Sequence, residues 1–318
     1  MDFRSFKSLI LKFFFFIKKY KITQIFELIK PGIILGNIIS LSGGFFLASR
    51  GELLKILFLK VILGMICIIS SSCIFNNIID RKLDKKMNRT KNRILCIHAS
   101  NELLFILFML ALFLCCLGLY IFFKYISFLC TIISIVGIFF YVILYSLWLK
   151  KKSCYSVLIG SISGSLPPII GYVSVSNTFD RCCMILFFMF VFWQIAHACS
   201  ILLYRYKDYT NANIPTIPKI YGIKYTKLCI SVCITSVFLL NLLLYYFDYI
   251  FFSSCLHINI CVFCWLLFSF MNENYFFSHK KWSRIMFFLS IFIIFFISIV
   301  LSLNFVNGYF SKTVAVGW

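Results

Sequence analysis

The sequence predicts an all-α polytopic membrane protein, a bundle of nine transmembrane helices with its N-terminus on the cytoplasmic side. Three observations carry this expectation. Hydrophobic residues make up 62% of the 318 and charged residues only 13%, with a mean hydropathy of +0.98, far from the balance of a soluble domain. Apolar runs of the length a bilayer core demands, about 17–25 residues, recur at 33–49, 56–75, 103–123, 125–148, 154–174, 182–203, 228–247, 249–271 and 284–305. With the N-terminus inside, 25 of the 31 Lys and Arg fall on the cytoplasmic side, the asymmetry that sets membrane orientation. The short links at Lys124 and Asp248 leave open that one span is re-entrant.

These distributions also exclude function classes. The net charge of +21 follows the loops of one side, so it reads as topology rather than as a nucleic-acid-binding surface. The fifteen cysteines fall mostly inside apolar spans, Cys67, Cys115 and Cys130 among them, and read as reduced packing residues rather than a disulfide framework.

Residues 1–26 combine Phe13–Phe16 with Lys12, Lys18, Lys19 and Lys21. This segment is expected to lie as a basic amphipathic helix on the inner leaflet, ahead of a single transmembrane domain over 27–318. Lys30-Pro31-Gly32 marks the entry to the first span, because Pro is tolerated in a first helical turn. Asn37 lies just inside the membrane, either as an interhelical hydrogen-bond partner or as a ligand near a polar site.

The second span runs through Ser70-Ser71-Ser72 into Asn76-Asn77-Ile78-Ile79-Asp80-Arg81-Lys82-Leu83-Asp84, and on to Arg89 and Arg93. Only ten carboxylates occur in the chain, and two of them stand here four apart among seven bases. On a helix, Asn77, Asp80 and Asp84 share one face, an arrangement of oxygen ligands suited to a divalent cation. The surrounding bases would neutralise phosphate charge, so a magnesium-diphosphate site is the working expectation. The bland reading is a positive-inside loop whose acids pair with bases one turn away.

The fourth span ends in Tyr145-Ser146-Leu147-Trp148-Leu149-Lys150, an aromatic belt with stop-transfer bases. Lys150 would stand level with Asp80, within reach of a diphosphate. Pro167-Pro168 are expected to break the fifth span midway, with Gly160 and Gly164 admitting a neighbouring helix. Gln194 and His197 share a face of the sixth span, where amide and ionisable groups are functional candidates. That span leads into Tyr204-Arg205-Tyr206-Lys207-Asp208, the second acid-bearing loop on the same side as Asp80. Spans seven to nine carry no comparable constellation.

These residues resemble a known family, the intramembrane prenyltransferases of the UbiA type, and within it the haem-modifying branch. The likeness rests on Lys30-Pro31-Gly32 with Gly36-Asn37, on 75–95, on Tyr145 to Lys150, on Leu158 to Tyr172, on Trp193-Gln194 with His197, and on Arg205 to Pro218. It implies a nine-helix bundle around a cavity, capped by its two polar loops. It further implies Mg²⁺ held by Asn77, Asp80, Asp84 and Asp208, with the three carboxylates catalytic. Arg81, Arg89, Arg93, Lys150 and Lys207 would bind diphosphate, and Asn37, Gln194 and His197 would line the pocket for haem or another acceptor. The implied reaction takes the farnesyl group of farnesyl diphosphate to a vinyl group of haem b in a bacterial inner membrane, beside terminal oxidase assembly. An aromatic quinone precursor as acceptor, or a haem carrier without chemistry, are the alternatives. Two residues depart from the family pattern: Tyr204 stands where many members have an acid, and Ala196 where relatives have proline before His197.

Overall fold

The computed structural model describes residues 22–271 and 279–304, and most of the basic segment expected over 1–26 lies outside them. Among the described residues there is helix and no strand. Nine of the helical stretches are long and apolar enough to cross a membrane: Pro31–Ser49, Lys55–Asp84, Asn101–Tyr125, Phe128–Lys151, Ser156–Ser176, Arg181–Tyr204, Gly222–Tyr246, Phe252–Ser269 and His279–Leu303. They are called the first to ninth spans below.

Both short links resolve into turns between full crossings. At the first, the backbone N–H groups of Ile126 and Ser127 both donate to the Phe122 carbonyl, and the Ser127 side chain then accepts from Cys130 N at 3.1 Å, capping the fourth span. At the second, Asp248 adopts a left-handed backbone with φ 60°. The Asn304 amide bonds Phe251 N and the Tyr249 carbonyl, tying that turn to the end of the ninth span. Neither link hides a re-entrant segment.

Outward faces carry large apolar side chains such as Leu59, Phe113 and Ile260, while polar groups such as Ser71, Ser134, Ser200 and Asn241 are buried. That inversion suits a hydrocarbon solvent, in which polar groups find partners only inside the bundle. All fifteen cysteines are free thiols.

The fifth span breaks where its prolines predict, into Ser156–Gly164 and Leu166–Ser176. Pro167 and Pro168 occupy the first turn of the second half, where their missing N–H groups leave no helical bond unmade. This half packs backbone to backbone against the first span. A Cβ on Gly44 would meet the Pro168 carbonyl oxygen at 1.9 Å, and one on Gly171 would meet that of Leu41 at 2.1 Å.

Two features position the loop end. The second span runs for 30 residues, about 45 Å of helix, so the acid motif is a continuous extension of a membrane helix. In the fourth span, Phe139–Trp148 is π-helical. Its wider i→i+5 register brings Tyr141, Tyr145, Ser146 and Lys150 to one side: Tyr141 and Tyr145 stack at 5.9 Å, and the Lys150 ammonium lies 5.7 Å from the Tyr145 ring centre.

Candidate active site

The acid motif buries Asn76, Asn77, Asp80 and Asp84 on the inner side of the second span. The single expected face divides into two rows. In the first, Asn76 Nδ2 donates to Asp80 Oδ2 at 2.8 Å and to Ser146 Oγ at 3.0 Å, and Lys150 Nζ donates to the same Asp80 oxygen at 2.5 Å. Lys30 Nζ completes this row with a 2.6 Å bond to Asn76 Oδ1. Burial pulls the Lys30 pKa down to about 8, helped by Arg93 and Lys150 and opposed by Cys73 and, less, by Asp80.

In the second row, Arg93 donates to Asp84 Oδ2 at 2.7 Å and to Asn77 Oδ1 at 3.4 Å, while Asn77 Nδ2 donates to the Leu28 carbonyl at 2.7 Å. Asn77, Asp84 and Arg93 border a cavity of about 10 Å³, room for about one water-sized occupant. The division follows from helix geometry, since residues four and seven apart stack along slightly different lines.

The two polar loops meet above these rows. Asn88 N donates to Asp208 Oδ1 at 3.2 Å, and Met87, Ala212 and Ile214 form a small buried cluster with Leu83 and Tyr209 packed against it. Thr90 Oγ1 bonds the Asp84 carbonyl at 3.0 Å, securing the turn that returns Arg93 to the acids.

Several expected site residues stand elsewhere. Asp208 does not join the other acids: among the described residues no group of three or more Asp, Glu, His or Cys side chains is gathered closely enough to hold a metal, and Asp208 accepts from the Asn88 backbone of the neighbouring loop. The Arg81 guanidinium bonds the Ile78 carbonyl of its own helix, while Arg89 and Lys207 are exposed on the loops. Asn37 donates to the Ile33 carbonyl one turn back on its own helix at 2.7 Å. Gln194 packs against Gly164, whose Cβ would come within 2.8 Å of its amide carbon. His197 stacks on Trp193 at 5.2 Å, and its Nδ1 pairs with Ser290 Oγ at 2.7 Å. The helix runs unbroken through Ala196, as expected once the proline is gone.

Magnesium takes oxygen ligands and commonly keeps one or two carboxylates with substrate phosphates and waters. The donors here fit: Asp80 Oδ1 is buried with no hydrogen-bond partner, and a buried carboxylate oxygen without one is costly. Asp84 borders the small cavity one turn away. Lys30, Asn76 and Ser146 are the members that sequence reasoning missed. In the sequence the first reads as a topological base, the second stands beside Asn77 with no spacing to set it apart, and the third sits in an aromatic belt.

A family model described as the UbiA prenyltransferase family matches residues 37–292. The chain belongs to this family. A UbiA relative from Buchnera aphidicola subsp. Cinara cedri, named protoheme IX farnesyltransferase, is 59% identical over 277 residues, covering 87% of this chain and 99% of the relative. One of the same name from Yersinia pseudotuberculosis is 37% identical over 284 residues, covering 89% and 95%. A digeranylgeranylglyceryl phosphate synthase structure superposes with a TM-score of 0.73 at 16% identity, covering 90% of this chain and 98% of its own. A UbiA homologue from Archaeoglobus fulgidus bound to DMAPP and Mg²⁺ gives 0.61 at 14% identity, covering 87% and 98%. At these identities the structures establish the fold. The chain is thus a multi-pass membrane prenyltransferase of the UbiA family.

Proposed function

We propose that this enzyme transfers the farnesyl group of farnesyl diphosphate to a vinyl group of haem b, with addition of water, giving haem O and diphosphate. The observation that carries the donor half is the cluster at the loop end, where Asp80 and Asp84 each hold a buried or half-buried cation and Asp80 Oδ1 keeps no partner. The acceptor half follows the relatives' shared name.

In this reading Asp80 and Asp84, with Asn77 beside them, would hold Mg²⁺, and the ion when bound would supply charge neutralisation for the departing diphosphate. Asp208, on the facing loop and bonded to Asn88 N, would serve as a further ligand. Arg93 and Lys150 already face the acids and would turn to phosphate oxygens, joined by Arg81 from the end of the second span and by Arg89 and Lys207 from the loops; fixed cations of this kind stabilise charge as it develops. Ionisation of the allylic ester then needs no general base. The stacked Tyr141 and Tyr145 offer aromatic faces to the resulting cation, and the apolar bundle keeps water away until it is required. Asn37, Gln194 and His197 would contribute to the haem pocket, with the histidine ring held by Ser290 and stacked on Trp193.

The loops of the acid motif face the cytoplasm, on the strength of the positive-inside asymmetry. In a bacterium that places the chain in the inner membrane, where haem O would be delivered to terminal oxidase assembly. Residues 27–318 act as one transmembrane domain, preceded by the basic segment.

Incubating the purified chain with labelled farnesyl diphosphate and either haem b or an aromatic quinone precursor tests the reading. Label is expected to enter the haem alone. Transfer to the aromatic acid instead would reassign the acceptor, and binding of haem without transfer would make the chain a carrier.

A further inference from the structure

Lys30 is the one cation of the acid cluster contributed by the first span, and no part of the reaction outlined above uses it. Its backbone is left-handed, with φ 53° and ψ 69°, a conformation that side-chain-bearing residues adopt at a cost and that persists chiefly where surrounding structure enforces it. The residue also precedes Pro31, which narrows its choices further. This joint between helix Ile22–Ile29 and the first span turns the side chain inward, onto Asn76.

An ammonium has three donors and no acceptor. Among the described residues the acceptor found for Lys30 is a single amide oxygen, Asn76 Oδ1 at 2.6 Å. That amide is the bridge to Asp80, which Lys150 also holds. Two cations, Lys150 and Arg93, therefore pair with the carboxylates Asp80 and Asp84, and a third, Lys30, joins them through the Asn76 amide. The cluster carries surplus positive charge and unused donors at the place where an anion would complete it. A lysine at a membrane boundary ordinarily extends toward lipid headgroups, whereas this one points into the bundle.

We infer that Lys30 is a ligand of the prenyl substrate's diphosphate, reaching it from the first span opposite Arg93 and Lys150. The inference rests on the diphosphate reading of the acid cluster and adds to it the residue that joins the first span to the site. Lys30 would bind the diphosphate without contacting the acceptor.

The test is binding of inorganic pyrophosphate with Mg²⁺ to the full chain in nanodiscs, followed by calorimetry. A charge-assisted hydrogen bond is worth roughly 10- to 100-fold in affinity. Lys30→Met is therefore expected to weaken pyrophosphate at least about tenfold, Lys30→Arg to restore most of it, and Lys82→Met, a charge removed from the exposed side of the same cluster, to change nothing. In turnover, Lys30→Met should raise KM for farnesyl diphosphate and leave KM for haem unchanged. Lys30→Met that binds pyrophosphate as the unaltered protein does overturns the inference. An unaltered protein that binds none overturns the diphosphate reading beneath it. Amine-reactive labelling of the unaltered chain, read at Lys30 by mass spectrometry, needs no substitution. Pyrophosphate with Mg²⁺ should protect Lys30 severalfold, and equal labelling, or equal protection by phosphatidylglycerol alone, overturns its role.

Discussion

Asp80→Ala is expected to abolish haem O formation, a loss of about 100-fold or more, the scale seen when a preorganised electrostatic group is removed from a reacting site. Asp80 is the hinge of the cluster. One of its oxygens takes both Asn76 and Lys150, and the other is buried and unclaimed, which is where a metal's demand for oxygen would be met. The alanine variant also leaves the Lys150 ammonium buried without its counter-charge, a change that costs ~3–5 kcal/mol in such pairs. Asp80→Asn also removes the counter-charge but keeps the shape and one acceptor for Lys150. Activity should fall in both variants, and thermal stability should fall further in the alanine variant, which loses the hydrogen bonds and the packing as well. Asp84→Ala should likewise be inactive, since Arg93 loses its partner. Near-normal turnover in either alanine variant removes the metal role from that acid.

A comparable loss, of folded protein rather than of chemistry, is expected from Gly44→Ala and Gly171→Ala. In each case the added Cβ would fall about 2 Å from a backbone carbonyl oxygen of the facing helix, Pro168 for the first and Leu41 for the second. Overfilling a packed core ordinarily costs ~1–3 kcal/mol because side chains adjust. Here the obstacle is backbone, so relief requires the two helices to separate, and the cost should lie at or above the top of that range. The first span carries Lys30 at its start and the fifth lies against Gln194 of the sixth, so separation would also disturb the site. Gly32→Ala and Gly36→Ala are the controls, for a Cβ there meets nothing within 4 Å. Thermal melts in detergent should place the two controls with the unaltered protein and the two core variants far below it. A Gly44→Ala protein as thermostable as the unaltered chain would refute the close packing of these spans.

Much of the fold was legible because a bilayer imposes a simple rule. A crossing needs a contiguous apolar run, and nine such runs can be read directly from the chain. The break at Pro167-Pro168 was legible for the same local reason, since proline forbids the helical bond. The acid motif announced itself because carboxylates are scarce in this sequence.

What the sequence concealed depends on register and on partners from distant positions. A π-helical stretch has no composition of its own, so nothing in Phe139–Trp148 announced that Ser146 and Lys150 would both reach the second span. Lys30 stood in a run of topological bases, and its inward aim follows from a backbone conformation that no residue preference foretells. Asn37 and His197 are polar inside spans, and the sequence names neither of the partners they take: Asn37 donates to the Ile33 carbonyl of its own helix and His197 Nδ1 pairs with Ser290 Oγ. Asp208 lies in the loop the sequence pointed to, but its present partner is a backbone N–H of the facing loop, a contact without a side-chain signature.

The most direct test of the account is mass spectrometry of haems extracted from bacterial membranes that express this chain in a host lacking its own haem-modifying prenyltransferase. The account predicts a species heavier than haem b by one farnesyl and one hydroxyl group, absent when Asp80→Ala is expressed in its place. Haem b alone, from membranes in which the folded chain is present and farnesyl diphosphate is supplied, would contradict it.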